Sequence, residues 1–403
     1  MSCKHWIRLV AALLCMSAAA APMAQPAHSV DAFDEFLALY EDAVPDERRS
    51  LAESFIADQQ AAGGFPITPG NGEAIFFYLA DSETESVHLR GDWLPRNTST
   101  PFWSETGQAM VRTGNLFHAR VQFEPDARLD YAFLVDGETR PDPNNPRRLF
   151  SGVGGGVVSE LRLPAHERPD YLDTLPEPGD IPESRLISLE QDWVEPAISV
   201  YLPPGYDRAN RYPVLYTADG SAWLELINLP GILDALIKRE AIQPVIAVMI
   251  DARADRRHWY QYNPDYLDYL ETVIQYIDRE YATKADPKHR IHAGTSAGGR
   301  AALYAGLERP DLFGRLALLS PSLTGPIHYL APFFSQQRLP DPNLKLWLSA
   351  GSYEGNIHKD AKTLEAYFES NDIAVEAIYP HQGHSFGVWQ QQSDQFLRYF
   401  LAE

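Results

Sequence analysis

The sequence predicts an α/β fold with a mostly parallel sheet, preceded by a small β-sandwich and a short helical N-terminal segment. Three observations carry that expectation. Beyond residue 186, apolar runs such as Val214-Leu-Tyr-Thr-Ala-Asp219 and Val245-Ile-Ala-Val-Met-Ile-Asp251 alternate with helix-length stretches, as in buried parallel strands joined by crossover helices. Between Glu73 and Pro164 the apolar period is two, with turns between short runs. A proline-rich stretch without periodicity, Pro169 to Pro182, divides the two regions. At 403 residues, 45% hydrophobic and 11% aromatic, the chain can build two or three cores and is too apolar for a disordered protein. Its 55 acidic against 34 basic residues give a net charge of −21, which argues against nonspecific nucleic-acid or anionic-membrane binding.

Taken in order, residues 1–24 read as a secretory signal peptide. Lys4 and Arg8 supply the positive start, Leu9 to Met16 the apolar core, and Ser17 to Ala21 a small-residue run before Pro22-Met23-Ala24. The apolar run is too short to span a bilayer, and cleavage is expected near Ala21 or Ala24. Leu13-Leu14 before Cys15 is not the small-residue context of a lipidated cysteine, so no stable membrane anchor is expected. Cys3 and Cys15 both fall in this segment, so a periplasmic or secreted mature chain would hold no thiol, disulfide or cysteine metal site.

Residues 25–66 follow as a helical segment: Phe33, Phe36, Leu37 and Tyr40, then Leu51, Phe55 and Ile56, recur at helical spacing, with Pro45 between and Gly63-Gly64 at the end. This pair is expected to pack onto the next domain. The sandwich is assigned to 67–165 from Ala74-Ile-Phe-Phe-Tyr-Leu, Ser86-Val-His-Leu-Arg, Leu116-Phe-His-Ala-Arg-Val and Leu129-Asp-Tyr-Ala-Phe-Leu-Val, with Asp136-Gly137 as a turn. A stiff linker is expected over 166–185. From 186 to 403, further strands are expected at Arg290–Gly294, Arg315–Leu319, Leu344–Gly351 and Val375–Tyr379, with a helix from Asp265 to Tyr281.

Chemistry is concentrated in Gly294-Thr295-Ser296-Ala297-Gly298. A strand turning abruptly into a helix at Gly-x-Ser-x-Gly presents the serine at the helix start, the elbow of α/β-hydrolases. Ser296 is therefore the candidate nucleophile. A serine hydroxyl needs a base, and in this fold the chain order is serine, acid, histidine. Of His328, His358, His381 and His384, the last lies in Gly383-His384-Ser385-Phe386-Gly387, between the final strand and the final helix, with His381 as its rival. Glu354, in Gly351-Ser-Tyr-Glu354-Gly355, is placed to orient His384; Asp360 is the alternative acid. An oxyanion hole needs two N–H donors. Ala297 follows the nucleophile, and Ser221, with Gly220 beside it, follows the strand ending at Ala218.

These residues carry a family resemblance. Together with Tyr201-Leu-Pro-Pro-Gly-Tyr206, Tyr212-Pro-Val-Leu-Tyr216, Asp219-Gly220 with Trp223, Arg309-Pro-Asp-Leu-Phe313 and Gly383-His384 with Trp389, they make residues 190–400 resemble the esterase family of enterochelin esterases, esterase D, mycolyltransferases and many feruloyl esterases. Gly91-Asp92-Trp93, Tyr131 with Asp136-Gly137, and Asp142-Pro-Asn-Asn-Pro146 are similar to the early-set, glycogen-binding-module-like domains that precede such hydrolases. The resemblance implies serine ester hydrolysis without a metal or other cofactor. The family often has Asp at the position of Glu354.

Substrate contacts are expected from Trp223 and from the rim after Asp251, where Arg253, Arg256, Arg257 and Trp259 could grip an anionic or catecholate ester; internal salt bridges are the other explanation. Trp93 and Trp103 could instead stack on sugar. The expected partner is thus a small-molecule or glycan ester: a siderophore-type ester, or a feruloyl or acetyl ester on polysaccharide. An acyltransferase, or a binding protein on a hydrolase scaffold, is a further possibility.

Overall fold

The computed structural model describes residues 30–97, 102–153, 156–323, 330, 335 and 339–402. The expected signal segment, with Cys3 and Cys15, lies outside the described residues, as does His328.

Among the described residues two helices come first, α1 (Val30–Asp42) and α2 (Pro45–Ala62). Pro45 occupies the first turn of α2, where its missing amide removes no helical hydrogen bond. The apolar stripes of the pair meet, and Phe36 stacks on Phe55 at 4.1 Å between ring centroids. Together with Phe33 and Tyr40 they cover Ile75, Phe77 and Leu116. Each buried phenylalanine contributes about 2 kcal/mol, so packing rather than helix propensity holds the pair.

Next come β1 (Glu73–Leu79), β2 (Val87–Gly91), β3 (Gln108–Ala109), β4 (Val111–Thr113), β5 (Leu116–Gln122), β6 (Arg128–Val135), β7 (Glu138–Arg140), β8 (Arg148–Phe150) and β9 (Val157–Arg162). One antiparallel sheet runs β1-β5-β4 and the other β3-β2-β6-β9-β8, with β7 added beside β6. The run Ala74-Ile-Phe-Phe-Tyr-Leu is apolar at every position because β1 is covered on both faces. Ala74 and Phe76 enter the sandwich core with Leu89, Phe117 and Phe133, while Ile75 and Phe77 meet the helices.

The stretch expected to be a stiff linker is instead packed. Short 3-10 turns form at Asp170–Thr174 and Pro178–Asp180, Tyr171 and Leu172 are buried, and Asn228 Nδ2 donates to the Pro176 carbonyl at 2.8 Å. Proline fixes φ but does not prevent neighbouring apolar side chains from reaching a core.

The remaining strands are β10 (Leu186–Ser188), β11 (Ile198–Tyr201), β12 (Val214–Ala218), β13 (Ile246–Ile250), β14 (Arg290–Thr295), β15 (Arg315–Leu319), β16 (Lys345–Ser349) and β17 (Ala374–Ile378). They form a sheet in the order β10-β11-β13-β12-β14-β15-β16-β17, antiparallel at β10-β11-β13 and parallel from β13 onward. Helices α3 (Gly220–Glu225), α4 (Leu229–Lys238), α5 (Arg256–Trp259), α6 (Pro264–Glu280), α7 (Ala297–Glu308), α8 (Asn356–Glu369) and α9 (Phe386–Leu401) connect or follow these strands. Residues of α3, α4 and α9 fill the core on one sheet face, and those of α6, α7 and α8 fill the other. Parallel strands share a direction, so the carboxyl ends of β12 and β14 to β17 open onto one edge.

Candidate active site

Ser296 sits between β14 and α7 with φ 54° and ψ −119°, outside the region an L-residue prefers. Such a conformation costs about 1–3 kcal/mol and persists only where its surroundings enforce it. Here the Ser296 amide donates to Leu319 O at 2.9 Å, and its carbonyl accepts from Ser322 N at 2.9 Å. The flanking glycines are required by close approach: a Cβ on Gly294 would strike the Gly298 carbonyl, and one on Gly298 would lie 3.0 Å from Asp219 Oδ2. Half-buried Ser296 therefore stands at the amino end of α7, with Ala297 as the first helical residue.

His384 lies in the loop between β17 and α9, only 5% exposed. Its Nδ1 donates to Glu354 Oε1 at 2.5 Å. Glu354 is fully buried in the turn between β16 and α8, where its other oxygen accepts from Gly351 N at 2.5 Å. The imidazole also meets the Trp389 ring edge-to-face, 4.8 Å between centroids. Trp389 Nε1 donates to Ser320 Oγ at 3.0 Å, and Ser320 adjoins the residue that accepts the Ser296 amide. Serine, histidine and glutamate thus occupy one edge of the sheet. Neither rival has a comparable position. His381 Nδ1 is 2.6 Å from Asp126 Oδ1, a partly exposed contact with the sandwich. Asp360 lies on α8, its carboxyl pushed up by burial.

Several expected site residues are placed elsewhere. The Ser221 amide donates to Asp251 Oδ1 at 2.6 Å and its hydroxyl to Asp251 Oδ2 at 2.5 Å, so that N–H is taken. Gly220 precedes it as the first residue of α3, where left-handed Asp219 (φ 66°) turns the chain. Trp223 is fully buried and packs edge-on to Phe396 at 6.0 Å; helix α3 turns it into the core, away from any ligand. Arg256 forms a two-pronged ion pair with Asp219 at 2.6 and 2.7 Å, the internal salt bridge weighed for this cluster. Trp259 is 3% exposed with the Arg253 guanidinium 4.3 Å over its ring, so that face is covered from within. Arg253 and Arg257 are exposed on the rim. In the sandwich, Trp103 is buried and donates to Asp92 Oδ1 at 2.9 Å, while half-buried Trp93 stacks on Phe76 at 5.5 Å. Both rings thus serve the domain's own packing. Among the described residues, no group of three or more His, Cys, Asp or Glu side chains is arranged to hold a metal.

Sequence reasoning missed a buried charged group under the His384 loop: Asp92, Arg128, Asp130 and Glu160. The available signal was a charged pair at i and i+2, Arg128 and Asp130, in an otherwise apolar strand, opposite Arg162 and Glu160 in register.

A mostly parallel sheet carrying a Gly-x-Ser-x-Gly elbow, with histidine and acid delivered later in the chain, defines an α/β-hydrolase. The chain belongs to the putative esterase family, whose model matches residues 194–400. It is 26% identical over 379 residues to an endo-1,4-beta-xylanase/feruloyl esterase of Xylanibacter ruminicola, spanning 87% of this chain and 48% of that protein. With the iron(III) enterobactin esterase of Escherichia coli K12 it shares 28% identity over 176 residues, 43% of this chain and 44% of that one. The chain therefore spans about half the length of these curated relatives. Its fold is similar to that of the enterobactin esterase of Shigella flexneri, with a TM-score of 0.68 at 21% identity over 81% of this chain and 92% of that one.

Proposed function

We propose that this chain is a serine carboxylic-ester hydrolase that works through an acyl-enzyme. Ser296 Oγ attacks the ester carbonyl as His384 Nε2 removes its proton, and Glu354 holds Nδ1–H and stabilises the imidazolium that forms. The Ala297 amide and the Gly220 amide receive the tetrahedral oxyanion, the Ser221 amide being held by Asp251. His384 then returns the proton to the departing alcohol, and a water activated by the same imidazole releases the acid. The observation that carries this reading is the buried 2.5 Å contact of His384 with Glu354 on the edge that holds the strained Ser296.

The substrate we favour is a siderophore-type catecholate ester. Exposed Arg253 and Arg257 on the rim suit an electron-rich or anionic ring, and two of the similar proteins are enterobactin esterases. A feruloyl ester of polysaccharide is the second reading, favoured by the xylanase/feruloyl esterase that matches 87% of this chain. Export to the periplasm or medium follows from residues 1–24 in the same proposal. The test is Ser296→Ala, expected to lower p-nitrophenyl acetate turnover by about three orders of magnitude or more and to abolish fluorophosphonate labelling. Retained turnover or labelling in that variant refutes the assignment. Ferric enterobactin assayed against methyl ferulate separates the two substrates.

A further inference from the structure

Between β17 and α9, the segment 381–385 is held by its own domain, as in Tyr353 N donating to Gln382 O at 3.2 Å, and also by the first residue of β6 in the sandwich. Arg128 N donates to His381 O at 3.0 Å, and Arg128 pairs with Gln382 as a parallel bridge. The same residue's Nη1 donates to Ser385 Oγ at 3.1 Å, and Ser385 caps α9. Between those anchors, Gly383 lies so close to the Asp92 carboxylate that a Cβ there would overlap it. Every residue flanking His384 thus touches the sandwich.

The guanidinium that does this is fully buried, a state that costs several kcal/mol unless its N–H groups are met. Glu160 accepts from Nε at 2.6 Å and Asp130 from Nη1 at 2.7 Å. Burial pushes the Glu160 carboxyl up, but Arg128 and Arg162 outweigh it and hold it down at about 2, so the pair stays ionised at neutral pH. Apolar side chains of the same size would glue two domains together at lower cost. Buried ion pairs are best attested where they fix register, and here the register fixed is that of the segment bearing the imidazole.

We propose that Arg128 is a positioning residue for His384, so that the sandwich is a working part of the hydrolytic site and not a detachable binding module. The proposal rests on the reading of His384 as the proton acceptor. It is tested by steady-state hydrolysis of p-nitrophenyl acetate by the full chain, with unfolding midpoints measured alongside. Arg128→Met is expected to lower kcat about 10- to 100-fold with KM within twofold, since a shift of about 1 Å in a catalytic group has that scale of effect. Arg128→Lys, which keeps a donor toward Ser385, restores much of the loss. Gly387→Ala keeps every charge and suits a helix, but its Cβ would press on the Arg128 guanidinium. It should show the same kcat loss, and it decides the matter if Arg128→Met does not fold. Tyr131→Phe removes a buried hydrogen bond to Asp142 inside the sandwich and should lower the midpoint without touching kcat. Unchanged kcat in folded Arg128→Met or Gly387→Ala, or a change in KM alone, overturns the proposal. A Ser296→Ala variant that keeps the wild-type rate removes the reading beneath it, and the proposal falls with that reading.

Discussion

Replacing Glu354 by glutamine changes one atom at the site and should be nearly as damaging as losing the histidine. Both carboxylate oxygens are engaged at 2.5 Å, one with Gly351 N and the other with His384 Nδ1, and the side chain is fully buried. Glutamine has a single acceptor oxygen. If that oxygen keeps the Gly351 amide, the new NH2 faces Nδ1 and forces the tautomer with its proton on Nε2. That nitrogen can then no longer accept the serine proton. Loss of the correct tautomer in a triad lowers kcat by about 10^4, or about 5 kcal/mol of transition-state stabilisation. The alternative orientation leaves the buried Gly351 amide facing NH2, at a stability cost of about 1–3 kcal/mol. The assay is kcat and KM for p-nitrophenyl butyrate with Glu354→Gln, Asp360→Ala and wild type, each checked for native circular dichroism. Expected is a collapse of kcat at similar KM for Glu354→Gln and at most a twofold change for Asp360→Ala. A folded Glu354→Gln enzyme within tenfold of wild type would refute the reasoning, as would an equal loss in Asp360→Ala.

Other consequences are open to measurement. Ser296→Gly should be inactive yet more stable than wild type by about 1 kcal/mol in urea titration, because glycine relieves φ 54°. Trp223→Ala should cost about 3–5 kcal/mol of stability through the cavity it leaves, and the core-packing assignment fails if only KM changes. Burial first, then the neighbouring Asp130 carboxylate, push Asp92 up to about 7 from the ordinary 3.8. A carboxyl raised in the folded state stabilises below its unfolded value and loses that contribution as pH rises to its folded value. Wild-type stability relative to Asp92→Asn should therefore fall between pH 4 and 7, on the order of 1 kcal/mol per pH unit, and a flat difference would contradict the burial argument.

The elbow was legible because three constraints coincide within five residues: a side chain on Gly294 would strike the Gly298 backbone, Ser296 takes a positive φ, and a side chain on Gly298 would crowd Ala218 and Asp219. The strand-helix alternation was legible for a similar reason: a parallel strand covered on both faces must be apolar throughout. What failed to show was side-chain direction on short elements and pairing across long separations. Trp223 stands next to Asp219-Gly220 in sequence, but one turn of α3 sends it into the core. Ser221 looked free because its partner, Asp251, lies 30 residues away. Arg128 and Ser385 are 257 residues apart, and no local period reports such a contact. Tyr171 and Leu172 were hidden among prolines that suggest a free strap.

The seat of the 381–385 segment also sets an order of assembly within the chain. Arg128 and Ser385 are 257 residues apart in sequence, whereas neighbouring sandwich strands are joined by short connections, so the antiparallel sandwich can fold before that loop finds its seat. The segment bearing His384 then closes onto a template already in place. A lesion in the sandwich would be felt there, as a late docking failure with β17 left exposed at the edge of the large sheet.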